Sequence, residues 1–466
     1  MKKIEYRLDF HRMGGTLQFV VIIGLIAALL AGCSPTPTSA PGPVTTENAP
    51  APTLQKSEPV KLVMWWWGEQ EAPGAEKWMN ETIALYQKEH PNITIESVLQ
   101  STDNLIPSFQ SAIAAGSGPD IQYVWGGIYT LDFVWTNGLR SVDDLIPADE
   151  LKHYINNFER SYDGKLWGVP WYLSGNPLVY NKELFTQAGL DPEKPFQKWD
   201  ELLDACKKLR AKNIVPISGG FKDGWYGGWL GSILGRQPLD SEKDFMKASV
   251  GEAKFTDPEF AEFWKRLQEL KDAGCWNDDS MSLDQYQGLD MFTQGKSAMV
   301  LGNDTFIGNW IQKMGTDKIG VMLVPKYADG KMADDYVVTA QGLGITSWSK
   351  HPQEAADFLM FMHTTERLNA WFKATGVLPA DDRLDTSLIS QPQIQLIYKW
   401  DTSVAGPNLE NFVPILVDQE AWWSGVQMLL SGTKTPEELA AYTEAVAQKY
   451  RDQNPDALKN WEIWMK

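Results

Sequence analysis

Aromatic rings set beside acids and amides are the chemistry that stands out in this chain. "VKLVMWWWGEQEAPG" begins at Val60 and places Trp65, Trp66 and Trp67 where an apolar run meets a Gly-rich turn, with Glu69 and Gln70 directly after. Similar groups recur at Trp125, at Trp171 with Tyr172, at Trp225 with Tyr226 and at Trp422 with Trp423. Twenty-one tryptophans is several times ordinary usage, and these groups fall in loops that follow β-rich runs. A flat indole suits the C–H face of a pyranose ring, while carboxylates and amides accept hydroxyl protons. For any single tryptophan a place in the core is the simpler explanation. For the whole set, recurring at one kind of position, a ligand site explains more.

Other chemistries fail on the residues present. The five histidines are scattered, and none lies in H-E-x-x-H or beside a metal-type cysteine pair, so no metal site is expected. "TQGKS" at 293–297 imitates the end of a phosphate loop, but Asp290 stands where the first glycine is needed. No G-x-G-x-x-G follows a strand and no G-x-S-x-G elbow occurs, so neither a cofactor nor a catalytic residue is assigned. With 60 aspartates and glutamates some pair always looks catalytic, and most form a solvated face.

The elements that must position these residues alternate. "KLVMWW", "ITIESVL" and "DIQYVW" read as strands, separated by helices over "AEKWMNETIALYQKEHP" and "LIPSFQSAIAAG". This β-α-β-α-β order predicts parallel strands in a doubly wound α/β fold. It resumes after residue 176 with "PLVYN", a helix over "KWDELLDACKKLRAKN" and "VPISGG". A helical stretch from Trp225 to about Asp278 follows, then strands at "SAMVLG", "KIGVMLVP" and "GLGITSW", and one long helix over "PQEAADFLMFMHTTERLNAWFKATG". The last 75 residues or so read as mostly helical. In open α/β sheets ligands bind beyond the carboxyl ends of strands, where the aromatic groups fall.

The first residues are an address. Lys2, Lys3, Arg7 and Arg12 precede an apolar run from Leu17 to Leu30, too short for a confident span, which ends in Leu30-Ala31-Gly32-Cys33. Small residues directly before a cysteine have the form of a bacterial lipoprotein signal, cleaved before Cys33 with diacylglycerol placed on its sulfur. Residues 34–59 are rich in proline, threonine, serine and alanine, which suits an extended, disordered tether. The formal charge is −18; the leader holds four basic and two acidic residues, so the processed chain is near −20. Such a surface argues against nucleic acid, anionic membranes and anionic ligands. Beyond Cys33 only Cys206 and Cys275 remain, and the sequence leaves open whether they pair.

Four stretches carry a family resemblance: "AIAAGSGPDIQYVW" (112–125), "YDGKLWGVPWYLSGNPLVYNKELF" (162–185), "MFTQGKSAMVLGNDTFIGNW" (291–310) and "GLGITSWSKHPQEAADFLMFM" (342–362). Their order and spacing resemble the maltose-binding-protein family, extracellular solute-binding proteins of carbohydrate ABC importers, over essentially all of 60–466. The resemblance implies a two-lobed, periplasmic-binding-protein-like α/β fold with a ligand cleft between the lobes. It implies an N-terminal lobe of 60–172 plus about 343–390, and a C-terminal lobe of 177–338 plus about 391–466. Crossings then fall near Leu173–Asn176, Thr339–Gly342 and residue 390.

Carried over residue by residue, Trp67, Glu69 and Gln70 match the first cleft loop, and Trp125 the stacking tryptophan of the first lobe. Trp171 and Tyr172 match the first crossing, Trp225 and Tyr226 the aromatic pair of the second lobe, and Trp422 and Trp423 its last aromatic. Asp103, Asp304, Phe306 and Gln341 complete the ligand-binding set. Two departures stand out: Ser174 replaces a ligand-binding acid, and Asp304, Thr305 and Phe306 occupy a loop where maltose binders have a tryptophan. Both argue against assuming maltose. The implied protein is a monomeric, non-catalytic binding lipoprotein, anchored outside the cytoplasmic membrane. It would take an oligosaccharide by hinge closure and pass it to permease subunits.

Two other classes were weighed. A glycoside hydrolase needs two carboxylates facing across a bond, and no (β/α)₈ pattern is visible to hold them. A binder of a polyamine, metal or peptide could use Glu69, Asp103 and Asp304 to hold a cation. Several stacking faces suit a ligand of two or more rings. The lipid anchor is tested by Cys33→Ala: the variant is expected to be exported yet lost from the membrane fraction. Firm retention in membranes would mean that the apolar run itself spans.

Overall fold

Val60–Trp66 alternates as a half-covered strand must: Val60, Leu62, Met64 and Trp66 are buried, whereas Lys61 is exposed and Val63 and Trp65 are only partly covered. In the computed structural model, which describes residues 58–466 apart from Pro195, this strand is central to the first sheet. The leader, Cys33 and most of the tether lie outside the described residues. Val60–Trp66 pairs in parallel with Ile93–Leu99, Val60 opposite Ile93, and with Ile121–Val124, Met64 opposite Ile121. Helices Ala75–Glu89 and Thr102–Ala115 make the crossovers. Asp120, from the "GSGPD" run, anchors the third strand: its carboxylate accepts the Val63 N–H at 2.9 Å and the Ser349 hydroxyl at 2.7 Å.

The sheet is not parallel throughout. Tyr336–Ile345 runs antiparallel to Ile121–Val124 and to Val169–Gly175, with Ala405–Pro407 parallel to its first residues. The expected doubly wound order therefore stops after three strands, because the chain leaves this lobe along Val169–Gly175 and returns along Tyr336–Ile345. The residues between build a second sheet, in the order Ile319–Met322, Leu178–Asn181, Ser297–Leu301, Val215–Ile217. Each sheet has its own apolar core, one around Leu62, Met64, Trp78 and Phe358, the other around Leu178, Leu230, Trp264 and Met299. Two lobes result.

Local signals explain the boundaries. Asn181, in "YNKELF", accepts the Glu183 and Leu184 N–H groups at 2.9 and 3.2 Å and so caps helix Lys182–Gln187. Gly295 of "TQGKS" has φ 68°, the conformation that ends helix Gln285–Thr293 and turns the chain into Ser297–Leu301. The imitation of a phosphate loop is a helix-to-strand turn.

Two helical expectations need correction. The stretch from Trp225 to Asp278 is three helices, Tyr226–Gly235, Glu242–Val250 and Pro258–Asp272, because Ser241 with Asp244 forms a capping box and Pro258 sits at a first turn. The long helix after residue 351 is Pro352–Met362 and Thr365–Thr375. It breaks at His363, whose ring nitrogen lies 2.8 Å from the Asp381 carboxylate in a buried pair.

Cys206 and Cys275, left open by the sequence, form a disulfide with Cα atoms 5.1 Å apart. It fastens helix Trp199–Arg210 to the segment whose Cys275 carbonyl accepts the Ile217 N–H at 2.8 Å. The bridge spans 69 residues, for which chain-entropy reasoning assigns about 4 kcal/mol. Cys206→Ala with Cys275→Ala is expected to lower the unfolding free energy by that order, measured by urea titration against the oxidised protein. An unchanged midpoint would show that the bridge does not constrain the unfolded chain.

Candidate functional site

The first strand ends in a turn where the Gly68 carbonyl accepts the N–H groups of Glu71 and Ala72 at 3.1 and 2.7 Å. That turn carries Glu71 inward, to 2 % exposure. Its carboxylate accepts from Ser174 Oγ at 2.6 Å and Tyr172 OH at 2.9 Å, with Gln341 Nε2 at 3.5 Å. Burial pushes Glu71 up to about 7; the Ser174 and Tyr172 hydrogen bonds oppose that shift and the Asp304 charge adds to it. Asp304 accepts the Gly175 N–H at 2.7 Å and the Tyr336 hydroxyl at 2.6 Å, and burial pushes it up to about 6. Carboxyl groups titrating near neutrality both donate and accept, which suits hydroxyl partners.

Aromatic side chains rise from this floor on both lobes. On the first, Trp67 lies edge-on to Tyr123 and Trp125, with ring centres 5.7 and 5.9 Å away, and Trp125 meets Tyr129 at 5.8 Å. Thr102 Oγ1 accepts the Trp67 indole N–H at 2.9 Å and fixes the ring. On the second, Trp225 contacts Trp229 at 5.4 Å and Tyr286 at 5.7 Å, and Tyr286 meets Phe306 at 6.0 Å. Trp225 and Trp229 lie one helical turn apart and so share a face. The seven residues Val417–Trp423 form a π-helical segment, whose wider turn brings Trp423 Nε1 to the Asp418 carboxylate at 3.0 Å. The lobes meet there: Tyr129 OH donates to Asp418 at 2.6 Å.

The sequence-derived set divides accordingly. Trp67, Trp125, Tyr172, Gln341, Trp225, Asp304, Phe306 and Trp423 stand on the floor or walls. Trp171 packs against Trp66, Trp78 and Trp371 in the first core, Tyr226 against Phe221 in the second, and Trp422 against Phe245 and Phe263. Each of these three is the chain neighbour of a wall or floor residue; Trp171 and Tyr172 both pack on Trp371, and Tyr172 reaches the floor through its hydroxyl. Glu69 accepts the N–H groups of Gly74 and Glu76 at 3.0 and 2.6 Å, so its carboxylate serves the start of helix Ala75–Glu89. Gln70 and Asp103 are exposed; Gln70 accepts from the Thr102 hydroxyl at 3.1 Å, and Asp103 faces Asp223 of the other lobe. The sequence reading passed over Glu71, Tyr129, Trp229, Tyr286, Glu410 and Asp418. The four-residue spacing of Trp225 and Trp229 was the one available signal.

Burial pushes Asp418 up to about 7 and Glu410 well above the usual carboxylate range, and no basic side chain offsets burial at Glu71, Asp304, Glu410 or Asp418. No group of three or more potential ligands able to hold a metal occurs among the described residues.

A two-lobed α/β molecule with facing aromatic walls defines the class of solute-binding proteins. Residues 81–392 match the bacterial extracellular solute-binding protein family, and the chain belongs to it. An uncharacterized ABC transporter extracellular-binding protein of Pyrococcus horikoshii is 22 % identical over 95 % of this chain and 97 % of its own. The sn-glycerol-3-phosphate-binding periplasmic protein UgpB of Escherichia coli strain K12 is 28 % identical over 58 % of this chain and 63 % of its own. Among solved structures, a chitin oligosaccharide binding protein superposes with a TM-score of 0.74 at 24 % identity, covering 84 % of this chain and 98 % of its own. A substrate-binding protein of Listeria monocytogenes, solved with cycloalternan, superposes at 0.66 with 20 % identity over 85 % of this chain and 100 % of its own. The family places the chain outside the cytoplasm, and no helix among the described residues is long and apolar enough to cross a membrane.

Proposed function

We propose that this protein is the non-catalytic binding component of a carbohydrate ABC importer, taking an oligosaccharide between its lobes. The observation that carries the reading is the pair of aromatic walls, Trp67, Trp125 and Tyr129 against Trp225, Trp229, Tyr286 and Phe306, over a floor of acids and amides. Rings stack on sugar faces, and Glu71, Asp304 and Gln341 supply partners for equatorial hydroxyls. Many separate faces suit more than one sugar ring. The structural likeness to a chitin oligosaccharide binding protein and to a binding protein solved with cycloalternan supports this reading.

Closure by hinge bending about the crossings, between lobes of 60–172 with about 343–390 and 177–338 with the remainder, would bury the ligand. Lipid on Cys33 and a flexible tether would then let the closed form reach its permease. An anionic solute such as the glycerol phosphate of the UgpB name fits this floor poorly. Glu71 and Asp304 line it, Glu410 and Asp418 lie at the lobe contact, and none of the four has a basic partner among the described residues.

Ligand binding to the native state alone raises its melting temperature, so a thermal-shift screen over mono- and oligosaccharides tests the assignment. An oligosaccharide is expected to give the largest shift and glycerol 3-phosphate none; silence toward every sugar would refute the reading. Trp125→Ala, which removes a stacking face worth on the order of 1–3 kcal/mol, is expected to weaken the best sugar about 5- to 150-fold with little change in unfolding midpoint. Trp66→Ala, at 1 % exposure, is expected to cost about 3–5 kcal/mol of stability instead. If Trp125→Ala unfolds early and binds normally, that ring belongs to the core.

A further inference from the structure

Where the lobes touch, two buried carboxyl groups crowd one glycine. A Cβ on Gly228 would lie 2.1 Å from Glu410 Oε2 and 2.4 Å from Asp418 Oδ1, so only a bare Cα leaves room for both. Asp418 is fully buried and Glu410 is 9 % exposed, and Asp418 Oδ1 receives no hydrogen bond from any described donor. Its other oxygen receives two, from Trp423 Nε1 of its own segment and from Tyr129 OH of the opposite lobe. Glu410 accepts from Asn408 Nδ2 at 2.8 Å and from Trp229.

We propose that in the closed form Glu410 and Asp418 hold one proton between them, and that closure, which brings the Tyr129 lobe over the pair, takes that proton up. The proposal rests on the closing motion in the reading above, not on which solute is bound. The step balances simply: closure takes one proton from solvent onto the pair, opening returns it, and no other bond changes.

The surroundings allow no other compensation. From the first lobe, Tyr129 donates and Glu159 adds further negative charge; Gln419 bonds Tyr129. Asp132, on the Tyr129 helix, acts on Tyr450. Helix Tyr226–Gly235 offers Gly228, Trp229 and Ser232, none of them cationic. Glu420 is paired outward with Lys449. Arg160 is committed to the Ala340 carbonyl and balances Glu159, and Arg236 to Asp335 and the Pro407 carbonyl. Two like charges side by side in a dry site cannot both persist.

On this proposal opening withdraws the Tyr129 lobe and admits solvent to the pair, so that both groups ionise in the usual carboxylate range. In the closed form burial holds Asp418 up at about 7 and Glu410 well above the usual carboxylate range. Closure is therefore favoured in acid and weakens as pH rises through the closed-form values, by up to about tenfold in the closed-to-open ratio per pH unit.

Small-angle X-ray scattering on the full chain without sugar tests this directly. The radius of gyration is expected to be larger at pH 9 than at pH 5.5. In Glu410→Gln an amide stands in permanently for the shared proton, so that variant is expected to stay compact at both. Tyr129→Phe removes a hydrogen bond that favours ionised Asp418 and is expected to carry the pH response to higher pH while folding normally. If Glu410→Gln folds poorly, Asp418→Asn serves the same purpose. A wild type equally compact, or equally open, at the two pH values would overturn the proposal, as would a Glu410→Gln variant with the wild-type pH response. No sugar enters the experiment, so failure of the carbohydrate assignment and failure of this one are told apart.

Discussion

Two lobes joined through a pair of crossing strands depend on the register of that pair. Tyr336–Ile345 sits in the first sheet and pairs with Val169–Gly175, the segment by which the chain leaves for the second lobe. Opposite residues of an antiparallel pair share a face, so Gln341 opposite Tyr172 places both toward Glu71, with Ser174 two residues further on. The same ribbon supplies Tyr336 and the Gly175 N–H to Asp304, and Thr339 to Glu159 at 2.6 Å. A slip of one residue would turn these polar groups into the core. The register irregularity between Gln341 and Gly342 falls within this region, beside the buried Arg160.

The polar floor is acidic in composition yet need not be anionic. Glu71 and Asp304 lose the comfort of water without gaining a cation, and the donors around them are hydroxyls and amides of modest strength. An arginine would have settled the matter by pairing, as Arg383 does with Glu150 and Asp381 elsewhere in the molecule. Leaving it unsettled keeps the groups able to donate or accept. A neutral, hydroxyl-rich solute presents both roles at once.

Much of the fold was legible because its signals are local. The Asn181 cap, the Gly295 turn and the Asp120 anchor are each made within or beside the motif that announced them. Those motifs are architectural, which is why they identified the family and said little of the solute. The site was half legible. Aromatic pairs were visible as pairs but not as separate roles: Trp422 packs in the second core while Trp423 bonds Asp418, and Trp171 and Tyr172 both pack on Trp371, with the Tyr172 hydroxyl reaching Glu71. An acid does stand beside Ser174, but Glu71 arrives from a turn 103 positions away in the chain, and no spacing rule connects them. Asp418 and its bond to Trp423 were hidden because a π-helical turn breaks the 3.6-residue period by which helical neighbours are sought.

The shared ribbon also sets an order of assembly. All four strands of the second sheet lie between Leu178 and Met322, whereas the first sheet is unfinished until Tyr336–Ile345 and then Ala405–Pro407 have been delivered. A chain emerging from its N-terminus can therefore complete the inner sheet while the outer one still waits with an open edge along Ile121–Val124. The sheet begun first is finished last, and its exposed strand edge is the place where a helper protein or a premature partner would meet the unfinished chain.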